Sequence, residues 1–166
     1  MSESLTAALV EVERFVGRSG WDQPARLFAL VRTAELIAAE PGLAEHLTNA
    51  PGDGFTSIEQ EEFTAGADLD ETLARIAWPD TVAGCALCLE RVFVPPEVEP
   101  ELPEDPVAAA AVVADHPKRI DLRVVVGVTR DGARHGVARV RGHEGELLGG
   151  TDLVPALTEA LSRTLE

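Results

Sequence analysis

At 166 residues, 45% apolar and 26% charged, the chain has the composition of a folded domain able to bury roughly 70% of its unfolded surface, which excludes wholesale disorder. Its net charge of −15 argues against nucleic acid as the main ligand, because phosphate binding is driven by counterion release at basic surfaces. No apolar run approaches the roughly 20 residues of a membrane span and no secretory signal layout is visible, so a cytoplasmic chain that does not span a membrane is expected.

From the N-terminus, Leu5, Ala8, Leu9, Val12, Phe15 and Val16 follow helical spacing, with Ser2 or Ser4 as cap and Gly17 as the stop. The Trp-Asp-Gln-Pro run at 21–24 predicts a second helix, with Asp22 as N-cap and Pro24 where a first-turn N–H is unpaired anyway. Leu27, Leu30, Val31, Ala34 and Ile37 would form its stripe, and Pro41-Gly42 its end. A short helical turn around 43–47 and a loop at 51–54 follow. Residues 56–63 predict an edge strand whose glutamates discourage pairing with other chains. Asp68 and Glu71 make a capping box ahead of Leu69, Leu73 and Ile76, a two-turn helix stopped by Trp78-Pro79. Residues 82–94 predict a long strand, apolar on both faces in its first half and therefore central.

Residues 95–106 hold five of the eleven prolines and five acidic residues with no base, an acidic proline-rich loop expected to be stiff, extended or disordered. Asp105 and Pro106 then open a short Ala/Val helix that ends before His116-Pro117. Beyond it, Ile120, Leu122, Val124, Val126 and Val128 alternate with the residues between them, the period of a strand. A two-residue Asp-Gly turn would drive Arg139 and Arg141 onto the apolar face. A three-residue turn, with Gly132 left-handed, pairs Leu122 with Val140, Val124 with Ala138 and Val126 with Gly136, and sets Asp121 opposite Arg141. Burial selects the second, with a returning strand over about 133–141. Gly149-Gly150-Thr151-Asp152 would form a turn leading to a last helix striped by Leu153, Val154, Leu157, Leu161 and Leu165.

These elements predict an α+β fold over 1–166 as a single domain, a mainly antiparallel sheet of three to five strands packed against helices. Charge is uneven along the chain. Residues 118–143 hold seven basic and two acidic side chains, a local +5 against −20 elsewhere. The ordinary expectation is a solvated face neutralised in part by acidic loops of the same molecule. The sharper one is a docking surface for an anionic partner, built on Arg123, Arg134, Arg139 and Arg141.

Candidate chemistry is sparse. Cys85-Ala-Leu-Cys88 has redox or zinc spacing, but residues three apart in a strand face opposite ways, so two small buried side chains are expected. His46, His116, His135 and His143 show no ligand spacing, and Asp115-His116 suits a helix exit better than an acid–base pair. Gly149-Gly150-Thr151 before a helix could hold phosphate, or serve as turn and cap. Trp21 and Trp78, each beside a helix boundary, are expected as packing anchors. No metal, cofactor or catalytic residue is implied.

The segments GWDQPARLFALV at 20–31, IEQE at 58–61, AWP at 77–79, ER at 90–91, GVTRDG at 127–132 and DLVP at 152–155 resemble the signature of an uncharacterised actinobacterial protein family. Thirteen arginines against one lysine agree with a GC-rich bacterial source. The resemblance implies no activity, cofactor or site residue. It does imply gene neighbours encoding a PDZ-containing Lon-type peptidase and a large membrane protein, hence a partner at the cell envelope. Two functions are expected: a non-enzymatic interaction or adaptor protein, with homodimerisation open, docking through the basic hairpin or the acidic proline-rich loop; or a small-molecule binding domain or cryptic enzyme with a pocket between sheet and helices.

Overall fold

The computed structural model describes residues 2–43, 54–60, 63, 69–94, 99–150 and 154–165. Helix α1 (Ser2–Gly17) buries Leu5, Ala8, Leu9, Val12 and Val16, as the spacing requires, while Phe15 stays half-exposed under the guanidinium of Arg26. Strand β1 (Arg26–Arg32) runs directly into α2 (Thr33–Ala39), and a single 3-10 turn covers Pro41–Leu43. There follow β2 (Phe55–Glu59), α3 (Leu69–Ala74), β3 (Gly84–Phe93), a 3-10 turn at Glu99–Glu101 and α4 (Pro106–Asp115). Strands β4 (Ile120–Thr129), β5 (Arg134–Val140) and β6 (His143–Gly150) and helix α5 (Pro155–Thr164) complete the order.

Among the described residues six strands form one antiparallel sheet in the order β2-β1-β3-β4-β5-β6. The class is α+β as expected, but six strands replace the predicted three to five, and two misreadings account for the difference. The predicted helix opened by residues 21–24 and ended by Pro41-Gly42 is a strand for its first half: Asp22 is not an N-cap but a turn residue with φ 66°, and Pro24 leads into β1. Leu27, Leu30 and Val31 mimic a helical stripe because β1 lies inside the sheet, covered on both faces. Leu27 joins one core, and Phe28 and Leu30 join the other. A short apolar run of this kind carries no period-2 signature. The second misreading is Gly149-Gly150, which is no turn; both residues belong to β6, opposite Val137 and Gly136. Its glycine-rich sequence lacks the side chains that mark a strand.

The hairpin register is as expected. Leu122 faces Val140, Val124 faces Ala138 and Val126 faces Gly136, and the Arg141 N–H donates to the Asp121 carbonyl at 2.9 Å. Gly132 sits at φ 92°, the left-handed conformation that the three-residue turn needs. Strand β2 is an edge, β3 is internal, and Asp105 caps α4 by accepting from the Ala108 N–H at 3.2 Å. The predicted turn around 43–47 and loop at 51–54, the capping residue Asp68, and residues 95–98 of the proline-rich segment lie wholly or mainly outside the described residues.

Two apolar layers hold the sheet. On one face α1 packs over Phe28, Leu30, Ala86, Cys88, Val125 and Val137. On the other, Leu157, Leu161 and Leu165 of the C-terminal segment, with Leu73 of α3, cover Leu27, Leu87, Val124, Val126 and Val128. Gly127 lets α1 settle, since a Cβ there would stand 2.6 Å from Leu9 Cδ2. Arg130 ties the molecule together beyond the hairpin turn, donating to the carbonyls of Val82 at 2.7 Å, Leu165 at 2.7 Å and Pro79 at 3.1 Å. The Trp78 indole N–H donates to Thr164 Oγ1 at 2.9 Å, anchoring the chain before β3 to the end of α5.

Candidate functional site

Three of the four arginines singled out in the sequence meet on the α1 face of the sheet. Arg123 and Arg139 are cross-strand partners, and α1 lowers Glu13 between them. Glu13 is 2% exposed and Arg123 3%. One Glu13 oxygen pairs with Arg139 Nε in a short contact, and the other lies 3.6 Å from Arg123 Nη1. Arg123 Nη2 also donates to the Gly20 carbonyl at 2.6 Å, whereas its buried Nε has no hydrogen-bond partner among the described residues.

Trp21 closes the cluster. Its ring centroid lies 4.4 Å from the Arg123 guanidinium and 5.5 Å from that of Arg141, which reaches Asp22 at 3.2 Å. Asp22 raises the Arg141 pKa through that hydrogen bond. The turn carrying Trp21 is held from β3: the Glu90 carboxylate accepts from the N–H groups of Asp22 at 3.0 Å and Gln23 at 2.9 Å. The Gln23 amide donates to the carbonyls of Val16 and Gly20, and its oxygen accepts from Arg26 at 3.0 Å. Arg26 in turn grips Glu59 with two hydrogen bonds of 2.6 Å, which lowers the Glu59 pKa and raises that of Arg26. Arg134 is elsewhere, exposed on the α5 side opposite Val128.

Glu13 was the residue to notice in the sequence. Leu5, Leu9 and Glu13 are spaced i, i+4, i+8, so a carboxylate interrupts the buried stripe of α1. A buried carboxylate requires a cation, and the partners come from strands more than a hundred residues away. Glu90 and Asp22 carried no comparable signal, because each lies in a segment where an exposed acid is ordinary.

Cys85 and Cys88 face opposite layers, as strand geometry requires, and both are free and buried. Burial pushes the Cys85 thiol up to about 11 and the Cys88 thiol up to about 12, so neither is a nucleophile at neutral pH. His116 ends α4, its Nδ1 accepting from the Lys118 N–H at 3.0 Å, while His135 pairs with Gly127 in the sheet. Among the described residues no group of three or more His, Cys, Asp or Glu could hold a metal ion. Among the described residues the two apolar cores pack the helices onto the sheet. A groove of about 450 Å³ lies between α3 and α5, lined by Leu73, Ile76, Ala156 and Ala160 beneath the exposed Glu159–Arg163 pair.

Helix α4 is the other unusual region. From Pro106 to Ala114 it has no polar side chain, yet Val107 is 78% exposed, Ala110 and Ala111 are exposed and Val112 is 39% exposed. A helix apolar on all sides is ordinarily buried. This one rests on β3 along one side only, with no second layer among the described residues. Its borders are acidic: Glu101, Glu104, Asp105 and Asp115 are all exposed.

The family model described as PPA1309-like protein matches residues 5–166, nearly the whole chain. The chain belongs to that family. It is an uncharacterised conserved family, as the resemblance implied. No curated protein and no solved structure matches the chain. The match takes in both the Trp21 cluster and α4. Among the described residues no helix is long and apolar enough to cross a membrane.

Proposed function

We propose that this member of the PPA1309-like family is a non-enzymatic interaction or adaptor protein that docks through α4 and the acidic proline-rich segment leading into it. The observation that carries this reading is the exposed, uncharged face of α4, centred on Val107 and Ala111. Leaving such a face in water forfeits roughly 25 cal/mol per Å² that a partner would recover. The basic hairpin is a poorer dock, because carboxylates of the same chain already occupy Arg123, Arg139 and Arg141. Arg134 is an exposed cation on the other side, beside Arg130. The reading carries with it an actinobacterial source, on the arginine-rich composition, and a cytoplasmic protein whose partner sits at the cell envelope.

Affinity capture of the tagged chain from its host, including detergent-solubilised membranes, tests it against a Val107→Ser/Val112→Ser variant. A stoichiometric partner held by the wild type and released by the variant is expected. A partner held equally by both would remove α4 from the interface, and a solitary protein would end the adaptor reading. A second reading, a ligand-binding domain, draws on the groove between α3 and α5. A metabolite thermal-shift screen tests it: a compound that stabilises the wild type but not Ala160→Trp supports it, and none at millimolar concentration counts against it.

A further inference from the structure

Resting on the docking role given to α4, we infer that its partner is a protein presenting an apolar groove rimmed by lysine and arginine. Three occupants compete for an exposed apolar helix: a second copy of the chain, a lipid surface and another protein. Charge decides among them. Residues 92–117 contain six carboxylates (Glu97, Glu99, Glu101, Glu104, Asp105 and Asp115) and neither lysine nor arginine. Four of these, Glu101, Glu104, Asp105 and Asp115, are described as exposed near the two ends of the helix. Basic side chains stand only at the limits of this stretch, with Arg91 before it and Lys118 and Arg119 after it, and Arg119 faces Asp121 at 3.7 Å.

A two-fold contact between copies would place this acidic border against itself, since an isologous interface pairs a patch with the same patch. Like charges brought together in this way oppose association. Anionic lipid fails for the same reason, because surface helices bind such leaflets through lysine and arginine. A helix lying in a groove through anchors at i, i+3 and i+4, here Val107, Ala110 and Ala111, is an established mode of recognition. The small alanines would let the groove walls approach closely. The acidic ends then select a basic rim and speed the encounter, an effect that salt suppresses.

Random peptides displayed on phage and selected on the immobilised full chain test this, with binders retained by the Val107→Ser/Val112→Ser variant discarded. The α4-dependent survivors are expected to combine apolar residues at helical spacing with Lys or Arg. A synthetic representative should lose roughly tenfold in affinity on the variant and weaken steeply with salt. Thermal melting confirms that the variant is folded, and Ala111→Gln provides a second disruption should it not be. Survivors that are acidic or uncharged would overturn the basic rim while leaving α4 a docking helix. No α4-dependent survivor would overturn both. An α4-dependent dimer in sedimentation, or α4-dependent flotation with phosphatidylglycerol vesicles, would likewise overturn the inference by naming a different occupant.

Discussion

The Glu13 cluster and helix α4 break the usual partition of side chains in opposite senses. Around Glu13, two charged side chains, Glu13 and Arg123, have left water and Arg139 is largely covered; along α4, an apolar face has stayed in it. The cluster answers its own cost, since the Glu13 carboxylate lies between two guanidinium groups and Trp21 covers one of them. Among the described residues nothing covers the outer face of α4. Buried charge with internal partners therefore explains how the N-terminal helix is seated, whereas exposed apolar surface without a partner points outward. The two regions are hard to compare by sequence, because the residues that draw attention first, the arginines, belong to the self-contained one.

The contrast can be broken at several points. Glu13→Ala should have the largest effect, about 3–5 kcal/mol in urea unfolding, because it leaves Arg123 buried without its carboxylate. A loss below about 1 kcal/mol would mean that the arginines swing out to solvent and that the cluster is no anchor. The thiols come next. With Cys85 near 11 and Cys88 near 12, against an ordinary 9.0, thiolate is suppressed about a hundredfold or more. Ellman's reagent at pH 8 should leave both cysteines of the native protein almost unmodified and titrate two on unfolding; fast labelling in the native state would contradict the buried placement of β3.

Trp21→Ala should cost about 2 kcal/mol by uncovering Arg123, and a stability equal to wild type would make the indole a bystander. Glu59→Gln tests the outer ion pair and is smaller, about 1 kcal/mol at pH 7. Arg26 depresses the Glu59 pKa, so the pair's contribution is complete above the ordinary carboxylate value of 4.5 and is lost as pH falls through the depressed one. The stability gap between Glu59→Gln and wild type should accordingly close in acid, and a gap that persists unchanged at pH 2 would assign it to packing. Smallest of all, Val107→Ser on α4 should change stability by no more than about 0.5 kcal/mol, because the side chain is already in water. A large loss would show that α4 is packed after all and would remove the contrast with Glu13.

The long hairpin was legible because its two possible turns place different residues on the buried face, and only one of them spares Arg139 and Arg141. Helices α1 and α5 were legible through their stripes, and the opposed cysteines through the strict alternation of a strand. Strand β1 was not, since burial on both faces erases alternation and leaves a run that fits a helix equally well. Of the arginine site, the residues were found but not their state: Arg123 and Arg139 read as surface cations because their carboxylate is supplied from α1. The apolar character of α4 was plain, but its exposure was not.

Local pattern thus determined the class, the hairpin register and the helix faces, each a matter of periodicity over a few residues. Only the tertiary structure decided that β1 is an inner strand, that β6 extends the sheet, that Glu13 meets Arg123 and Arg139, and that the outer face of α4 is left uncovered. Those outcomes depend on which distant segments share a layer, and that is settled by the burial of both faces of the sheet at once.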